Sequence, residues 1–237
     1  MQSQKLNSAT RFCKVCFKDK LIDDTASLFY DYPICASCFH EMEPKVVITK
    51  LNGLKTTSLF IYNEKVKTML YQCKGCFDIE MAGFFLSRHK SFLKKKYKDW
   101  IVVPAPSYCA KNEIRGFNHV EEIFKCLGRP FIHPINKVDN VKQADLNFED
   151  RQKIGSHLKW DEKVSVRGLN ILFVDDLLTT GATAKACTKM LLEHGARKVE
   201  VLVMARTRDP NKKYDVLDVF NKKLRQILGI FRKKDRK

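Results

Sequence analysis

Residues 171–183, ILFVDDLLTTGAT, restrict the possible folds of this chain more than any other part of it. Four consecutive apolar residues, 171–174, predict a strand that is buried on both faces, as in a parallel sheet. Asp175 and Asp176 follow at the point where we expect this strand to end. A loop and a helical pattern come next, so the segment predicts a strand–loop–helix unit.

The residues after the loop support this unit. Bulky side chains recur at helical spacing from Cys187 to His194, and Gly195 is a typical helix stop. Residues 198–204, KVEVLVM, predict a second strand. A strand–helix–strand connection of this kind is right-handed when the two strands are parallel. We therefore expect an α/β domain with a mainly parallel sheet.

The loop at residues 179–183 has the composition of a phosphate-binding site. Ligands of parallel α/β sheets bind at the carboxyl ends of the strands, where the first turn of the next helix leaves backbone N–H groups without partners. Glycine lets the backbone come close to a ligand, and threonine hydroxyls add donors, which together suit a phosphate monoester. The residues that we expect to contact this ester are Thr179, Thr180, Gly181, Ala182 and Thr183.

The two acids before the loop carry no charge that would attract phosphate. Asp175 and Asp176 can instead accept hydrogen bonds from the vicinal hydroxyls of a sugar, or hold a water of a Mg²⁺ ion. The alternative role is helix N-capping, which is common for aspartate. Two consecutive acids beside an anion site in a basic protein favour recognition of a ribose phosphate.

Two cysteine pairs near the amino terminus predict a metal site. Cys13 and Cys16 are followed, after 18 intervening residues, by Cys35 and Cys38, which is the spacing of a structural zinc site. Four thiolates complete a tetrahedral shell and leave no open coordination position, so a Zn²⁺ ion here would be structural. His40 could compete as a ligand, but a surface position is the simpler expectation. We expect residues 21–34, between the pairs, to form a short hairpin.

The charge of the chain indicates its partners. The sequence has 44 basic and 27 acidic residues, a net charge of +17, which favours polyanions such as phosphorylated small molecules, nucleic acid or an acidic membrane surface. We find neither an amino-terminal signal stretch nor an apolar run of the about 18–20 residues that a membrane helix needs. We therefore expect a cytoplasmic protein with no transmembrane segment.

The motifs together resemble a known family. Residues 171–183 are similar to the 5-phosphoribosyl-1-pyrophosphate motif of type I phosphoribosyltransferases. Residues 115–118, RGFN, residues 102–106, VVPAP, and the cysteine pairs narrow the resemblance to the ComF family, which is tied to DNA uptake in natural competence. The resemblance runs from about Cys13 to Arg206.

This resemblance implies a fold and a set of roles. The fold is a type I phosphoribosyltransferase-like, mainly parallel sheet with flanking helices, preceded by a small four-cysteine zinc-ribbon module. The loop would hold the 5-phosphate, Asp175 and Asp176 the ribose hydroxyls, and Arg115 the pyrophosphate, with Mg²⁺ on the leaving diphosphate. Those two acids and Arg115 are the expected catalytic residues. Single-stranded DNA and other DNA-uptake proteins are the further partners that it implies.

Three units follow from this organisation. We expect a zinc-binding four-cysteine module at residues 1–50, a phosphoribosyltransferase-like domain at 51–208 and a basic tail at 209–237. Gln143 and Arg151 match family positions in a stretch that we interpret as a flexible hood. The amides near Ala105 and Ser107 are expected to approach the pyrophosphate.

A third cysteine pair, Cys73 and Cys76, could form a redox centre or a second metal site, although two unrelated thiols beside a turn are the simpler interpretation.

Three functions remain open from the sequence. The chain could be a phosphoribosyltransferase with an undefined acceptor, a module that senses the sugar diphosphate without turning it over, or a nucleic-acid-binding zinc protein on the same scaffold. Thr179 stands where oxopurine-salvage members of the fold have an acid that acts as a base. Threonine cannot serve as that base near neutral pH, so oxopurine salvage is disfavoured.

Overall fold

The computed structural model of the chain describes residues 12–20, 32–137 and 157–208. Residues 21–31 of the hairpin expected at 21–34, the hood residues Gln143 and Arg151, and the tail at 209–237 lie outside these ranges. In chain order the strands are β1 (Pro44–Leu51), β2 (Leu54–Ile61), β3 (Ile101–Pro104), β4 (Ile135–Lys137), β5 (Leu158–Trp160), β6 (Asn170–Leu178) and β7 (Lys198–Arg206). The α-helices are α1 (Ala36–Glu41), α2 (Glu64–Gly75), α3 (Ala82–Phe85), α4 (Lys90–Lys96), α5 (Cys109–Arg115), α6 (His119–Phe124) and α7 (Ala182–Glu193), and short 3₁₀ turns span Ile79–Met81 and Lys125–Leu127.

Five strands form one mixed sheet in the order β1-β2-β7-β6-β3. The pairs β2–β7, β7–β6 and β6–β3 are parallel, and only the hairpin β1–β2 is antiparallel. The two-residue turn of that hairpin consists of Asn52 and Gly53, both with positive φ, which suits the twist of the two strands. Strands β4 and β5 pair separately as an antiparallel ribbon. The expected mainly parallel sheet is confirmed.

Alternate residues of β6 and β7 pack into separate layers of the core. Leu172 and Val174 face α2, α3 and α6, and the same apolar cluster continues into Cys13, Cys35 and Cys38 near the amino terminus. Ile171 and Phe173 face the other side, where α7 supplies Cys187, Ala184 and Leu191. The central strands are thus buried on both faces, as their apolar runs predicted.

The four-cysteine segment packs directly onto the sheet domain. One continuous cluster of buried side chains joins Ile34, Phe39 and Met42 to residues of β2 and α2. Residue 50, where we expected the first unit to end, lies inside β1. Across the described ranges, no helix combines the length and the apolar character that crossing a bilayer requires.

Candidate functional site

The sulfur atoms of Cys13, Cys16, Cys35 and Cys38 all lie within 4.8 Å of one another. Backbone N–H groups point at these sulfurs: Val15 and Cys35 donate to Cys13 Sγ at 3.4 and 3.3 Å, and Cys38 donates to Cys35 Sγ at 3.5 Å. Such bonds stabilise thiolates, which are the metal-binding form of cysteine. The donor set therefore fits one tetrahedral metal ion. His40 is exposed and stands outside the cluster.

Burial and hydrogen bonding compete at these thiols. Burial raises the pKa of Cys13, but amide hydrogen bonds outweigh it and lower the pKa to about 7. Burial, together with the neighbouring Cys16, raises the pKa of Cys38 well above its ordinary value. Four thiols packed this closely repel one another once ionised, and a bound cation would remove that repulsion.

The turn that we expected directly after Val174 is absent from β6. The strand continues through both acids to Leu178, because Leu177 and Leu178 still pair with Ala205 and Arg206 of β7. The prediction that the strand ends before the acids was therefore wrong. Adjacent strand residues alternate between faces, so Asp175 lies on the α7 side and Asp176 on the side of α2 and α6.

Asp176 is buried and has two basic partners that the sequence pattern did not reveal. Lys74 Nζ, from the last turn of α2, and His119 Nε2, from the first turn of α6, each lie 3.1 Å from Asp176 Oδ2. Burial by itself raises the pKa of Asp176, but the hydrogen bond to His119 and the charge on Lys74 outweigh it and hold the pKa well below its ordinary value. Asp176 is therefore a carboxylate at neutral pH.

Asp175 has a different environment. It is half-buried, and its Oδ1 accepts a hydrogen bond from the Asp176 amide at 2.9 Å. Burial and the nearby Asp176 charge raise the pKa of Asp175 well above its ordinary value. The two carboxyls therefore interact although their Cβ atoms point to opposite faces.

The loop at 179–183 has the geometry of an anion site. Thr179 and Thr180 are exposed, and α7 begins after Gly181, which has no side chain to cap the first turn. The Ala182 amide donates to Thr180 Oγ1 at 3.3 Å. By helix geometry, the amides of Thr183 and Ala184 have no acceptor within the helix, and they stay available to a phosphate.

Gly181 is required at its position for two reasons. Its φ of +74° is in the left-handed region, and a Cβ there would come within 2.9 Å of Leu51 Cδ1 and 3.4 Å of Leu178 Cδ1. The side chains of Leu51 in β1 and Leu178 at the end of β6 therefore pack against the loop at Gly181.

Arg115 lies in the last turn of α5 rather than in a loop, and Gly116, at φ +80°, ends the helix. Its side chain is partly buried. Arg115 Nε donates to the Lys74 carbonyl at 3.1 Å, and Nη1 lies 3.0 Å from His119 Nδ1. Arg115 thus joins the group that surrounds Asp176.

The segment after β3 differs from the expectation. The Ala105 amide donates to the Val174 carbonyl at 2.8 Å, so it belongs to the sheet and is not free to bind a pyrophosphate. Ser107 Oγ accepts a hydrogen bond from Asn112 Nδ2 at 2.6 Å. Of the expected pyrophosphate contacts near this strand, the Ala105 amide is therefore excluded.

Cys73 and Cys76 do not resemble a second metal site. Cys73 is fully buried, and burial raises its pKa to about 11, whereas Cys76 is exposed. Among the described residues, the four amino-terminal cysteines are the group that can hold a metal. Lys74, which lies between these two cysteines, is the residue that reaches Asp176. It lies 102 positions from Asp176, a separation at which no local spacing could reveal the contact.

Comparisons with known proteins identify two kinds of relative, competence proteins and purine phosphoribosyltransferases. No protein-family model matches the chain. The chain is 32% identical over 155 residues to competence protein ComFC of Streptococcus pneumoniae, which covers 65% of this chain and 69% of that protein. It is 36% identical over 141 residues to competence protein ComFC of Bacillus subtilis, which covers 58% of each, so it spans a little over half the length of that relative.

Purine phosphoribosyltransferases also align with the chain. An adenine phosphoribosyltransferase of Campylobacter jejuni is 32% identical over 130 residues, which covers 54% of this chain and 67% of that protein. A solved hypoxanthine phosphoribosyltransferase of Staphylococcus aureus aligns at 12% identity with a TM-score of 0.33, over 75% of this chain and 77% of the other.

Proposed function

The chain belongs to the ComF family of type I phosphoribosyltransferase-like proteins, and we propose on this premise that it binds 5-phosphoribosyl-1-pyrophosphate with Mg²⁺ and acts in DNA uptake. The binding part of this proposal rests on the first turn of α7, where the N-cap residue Gly181 offers no side-chain acceptor to the amides of Thr183 and Ala184. The names of the two ComFC relatives support the role in competence.

Each part of the ligand has a candidate partner. The 5-phosphate binds residues 179–183, whose amides and hydroxyls are donors. Asp175 and Asp176 are adjacent near the carboxyl end of β6, and their carboxyls interact although the side chains extend from opposite faces, which supports a shared contact with the vicinal ribose hydroxyls. Arg115 has five N–H donors, and two of them are used in the contacts described above, so donors remain for a diphosphate oxygen.

Mg²⁺ enters this proposal with the ligand. The diphosphate supplies oxygen ligands, and Asp175 can accept a hydrogen bond from a water on the ion, since Asp176 is already bonded to Lys74 and His119. When bound, Mg²⁺ would neutralise charge on the leaving diphosphate.

We propose a transferase activity with an open acceptor. In such a transfer the bond between ribose C1 and the diphosphate oxygen breaks, and a bond from C1 to the acceptor forms. The protein would contribute positioning and electrostatic stabilisation. Thr179 still argues against an oxopurine acceptor, because its hydroxyl is no base at neutral pH.

The cysteine cluster binds Zn²⁺ as a structural ion in this proposal. Its four sulfurs leave no position for substrate, and its core is continuous with that of the sheet domain. The ion would therefore stabilise the domain rather than take part in the reaction.

Isothermal titration calorimetry with Mg²⁺ present tests the binding. The wild type should bind 5-phosphoribosyl-1-pyrophosphate, and Asp175→Asn should bind it at least about tenfold more weakly, since a carboxyl oxygen that accepts hydrogen bonds is replaced by an amide group. Glu193→Gln, at the far end of α7, is the matched control and should bind like the wild type. The proposal would be contradicted if titration of the wild type with the sugar diphosphate gave no heat of binding and if the sugar diphosphate did not compete with ribose 5-phosphate.

A second candidate, a nucleic-acid-binding zinc protein on the same scaffold, is favoured by the net charge of +17. Fluorescence anisotropy with labelled single-stranded DNA at two salt concentrations tests it. Salt-sensitive binding of DNA together with indifference to the sugar diphosphate would favour this candidate over the transferase.

A further inference from the structure

Four residues around Asp176 form a closed ring of contacts. Lys74 and His119 each contact Asp176 Oδ2, His119 in turn contacts Arg115, and Arg115 returns to the Lys74 carbonyl. The four distances lie between 3.0 and 3.1 Å. The ring joins the ends of α2 and α5, the start of α6 and the carboxyl-terminal part of β6, of which only α5 and α6 are close in sequence.

The hydrogen-bond donors and acceptors of the ring determine the protonation state and the tautomer of the His119 imidazole. Arg115 has only donors, so His119 Nδ1 must be the acceptor of that bond. Asp176 is ionised and has only acceptors, so His119 Nε2 must carry the proton. Only neutral His119 with its proton on Nε2 satisfies both neighbours, and a second proton on Nδ1 would face the guanidinium.

We propose that His119, as this neutral tautomer, is a positioning residue that holds the ribose acid Asp176 and the pyrophosphate cation Arg115 in one preassembled unit. The inference rests on the proposed function, because it concerns how the same site takes its ligand. A sugar diphosphate that contacts both residues then meets groups that are already oriented and loses less entropy on binding.

The burial of the ring favours His119 over Lys74 as the residue that matters most. The side chains of His119 and Asp176 are each 12% exposed, whereas that of Lys74 is 41% exposed. Water can replace an exposed ammonium group, but it cannot easily replace a buried imidazole. The Asn118 side chain caps α6 through the amides of Val120 and Glu121, which fixes the start of the helix from which His119 extends.

The test compares two replacements of His119. Glutamine has one amide donor and one carbonyl acceptor, so His119→Gln can bond to both Asp176 and Arg115, whereas His119→Ala can bond to neither. We expect His119→Ala to bind 5-phosphoribosyl-1-pyrophosphate about tenfold more weakly, and His119→Gln to stay within about threefold of the wild type. His133→Ala, an exposed histidine outside the ring, is the matched control for losing an imidazole.

Thermal unfolding shows whether each variant is folded before calorimetry is carried out. If His119→Gln binds the sugar diphosphate as weakly as His119→Ala while both variants are folded, then the size and aromaticity of the imidazole matter, and the positioning role is overturned. Restoration by glutamine supports it.

A second measurement does not need the ligand. Long-range ¹H–¹⁵N NMR spectra of the full-length protein near neutral pH should show His119 with its proton on Nε2, and Arg115→Met should change that signature. Observation of the Nδ1 tautomer or of an imidazolium would overturn the inference even if the sugar diphosphate binds. Failure of the wild type to bind the ligand, with the Nε2 tautomer present, would instead contradict the proposed function and leave the hydrogen-bonded ring supported.

Discussion

Replacement of Gly181 by alanine tests the proposed phosphate loop most directly. The substitution places a Cβ at φ +74°, 2.9 Å from Leu51 Cδ1. The left-handed backbone alone costs an L-residue about 1–2 kcal/mol, and crowding against a packed side chain adds about 1–2 kcal/mol. We therefore expect Gly181→Ala to lower the free energy of unfolding by about 2–4 kcal/mol in total.

Gly53 separates the two contributions. It has a similar φ of +80°, but a Cβ there meets no atom within 4 Å, so Gly53→Ala should show only the backbone cost of about 1–2 kcal/mol. In thermal unfolding followed by circular dichroism, a domain of this size loses about 2–4 °C per kcal/mol, so the two variants should differ by several degrees.

Leu51→Ala removes the atom that the new Cβ would meet. Combined with Gly181→Ala, it should destabilise the protein by less than the sum of the single changes, because the crowding is relieved. The reasoning would be refuted if Gly181→Ala were no more destabilising than Gly53→Ala, or if the double variant were strictly additive. Gly181→Ala should also weaken binding of the 5-phosphate, whereas Gly53→Ala should not.

Three further predictions follow from the charges and thiols. Asp176→Asn should lower the free energy of unfolding by about 1–3 kcal/mol at pH 7, because Lys74 and His119 lose a charged partner. Asp175→Asn should leave the free energy of unfolding unchanged or raise it, because burial disfavours a charge on Asp175. Denaturant titration of the two variants distinguishes these outcomes. Since the folded-state pKa of Asp176 is depressed, its contribution is present above the ordinary pKa near 3.8 and is lost as the pH falls below it, so the melting temperature of the wild type should drop more steeply in acid than that of Asp176→Asn. Removal of metal with a chelator, or Cys35→Ser, should lower the melting temperature, and metal analysis of the purified wild type should find about one zinc per chain; an unchanged melting curve and a metal-free wild type would contradict the structural role.

The pattern of apolar and turn residues was sufficient to predict the central unit of the fold. A run of apolar residues before Asp175, a glycine-containing loop and a helical repeat ending near Gly195 predicted β6, the loop and α7, and the structure contains all three. These are local properties, since strand burial, helix periodicity and glycine at positive φ depend on neighbouring residues. The spacing of the amino-terminal cysteines likewise predicted four sulfurs that lie together.

Tertiary structure decided the environment of the acids. The extension of β6 to Leu178 depends on pairing with β7, and the burial of Asp176 depends on Lys74 and His119, which lie 102 and 57 positions away. No periodicity or spacing links residues at such separations, because their contact results from packing α2 and α6 on the same face of the sheet. The sequence alone was enough to specify a glycine-containing loop beside two acids, whereas only the folded chain determined how the pKa values of the two acids differ, which cations surround Asp176 and how Arg115 is joined to it.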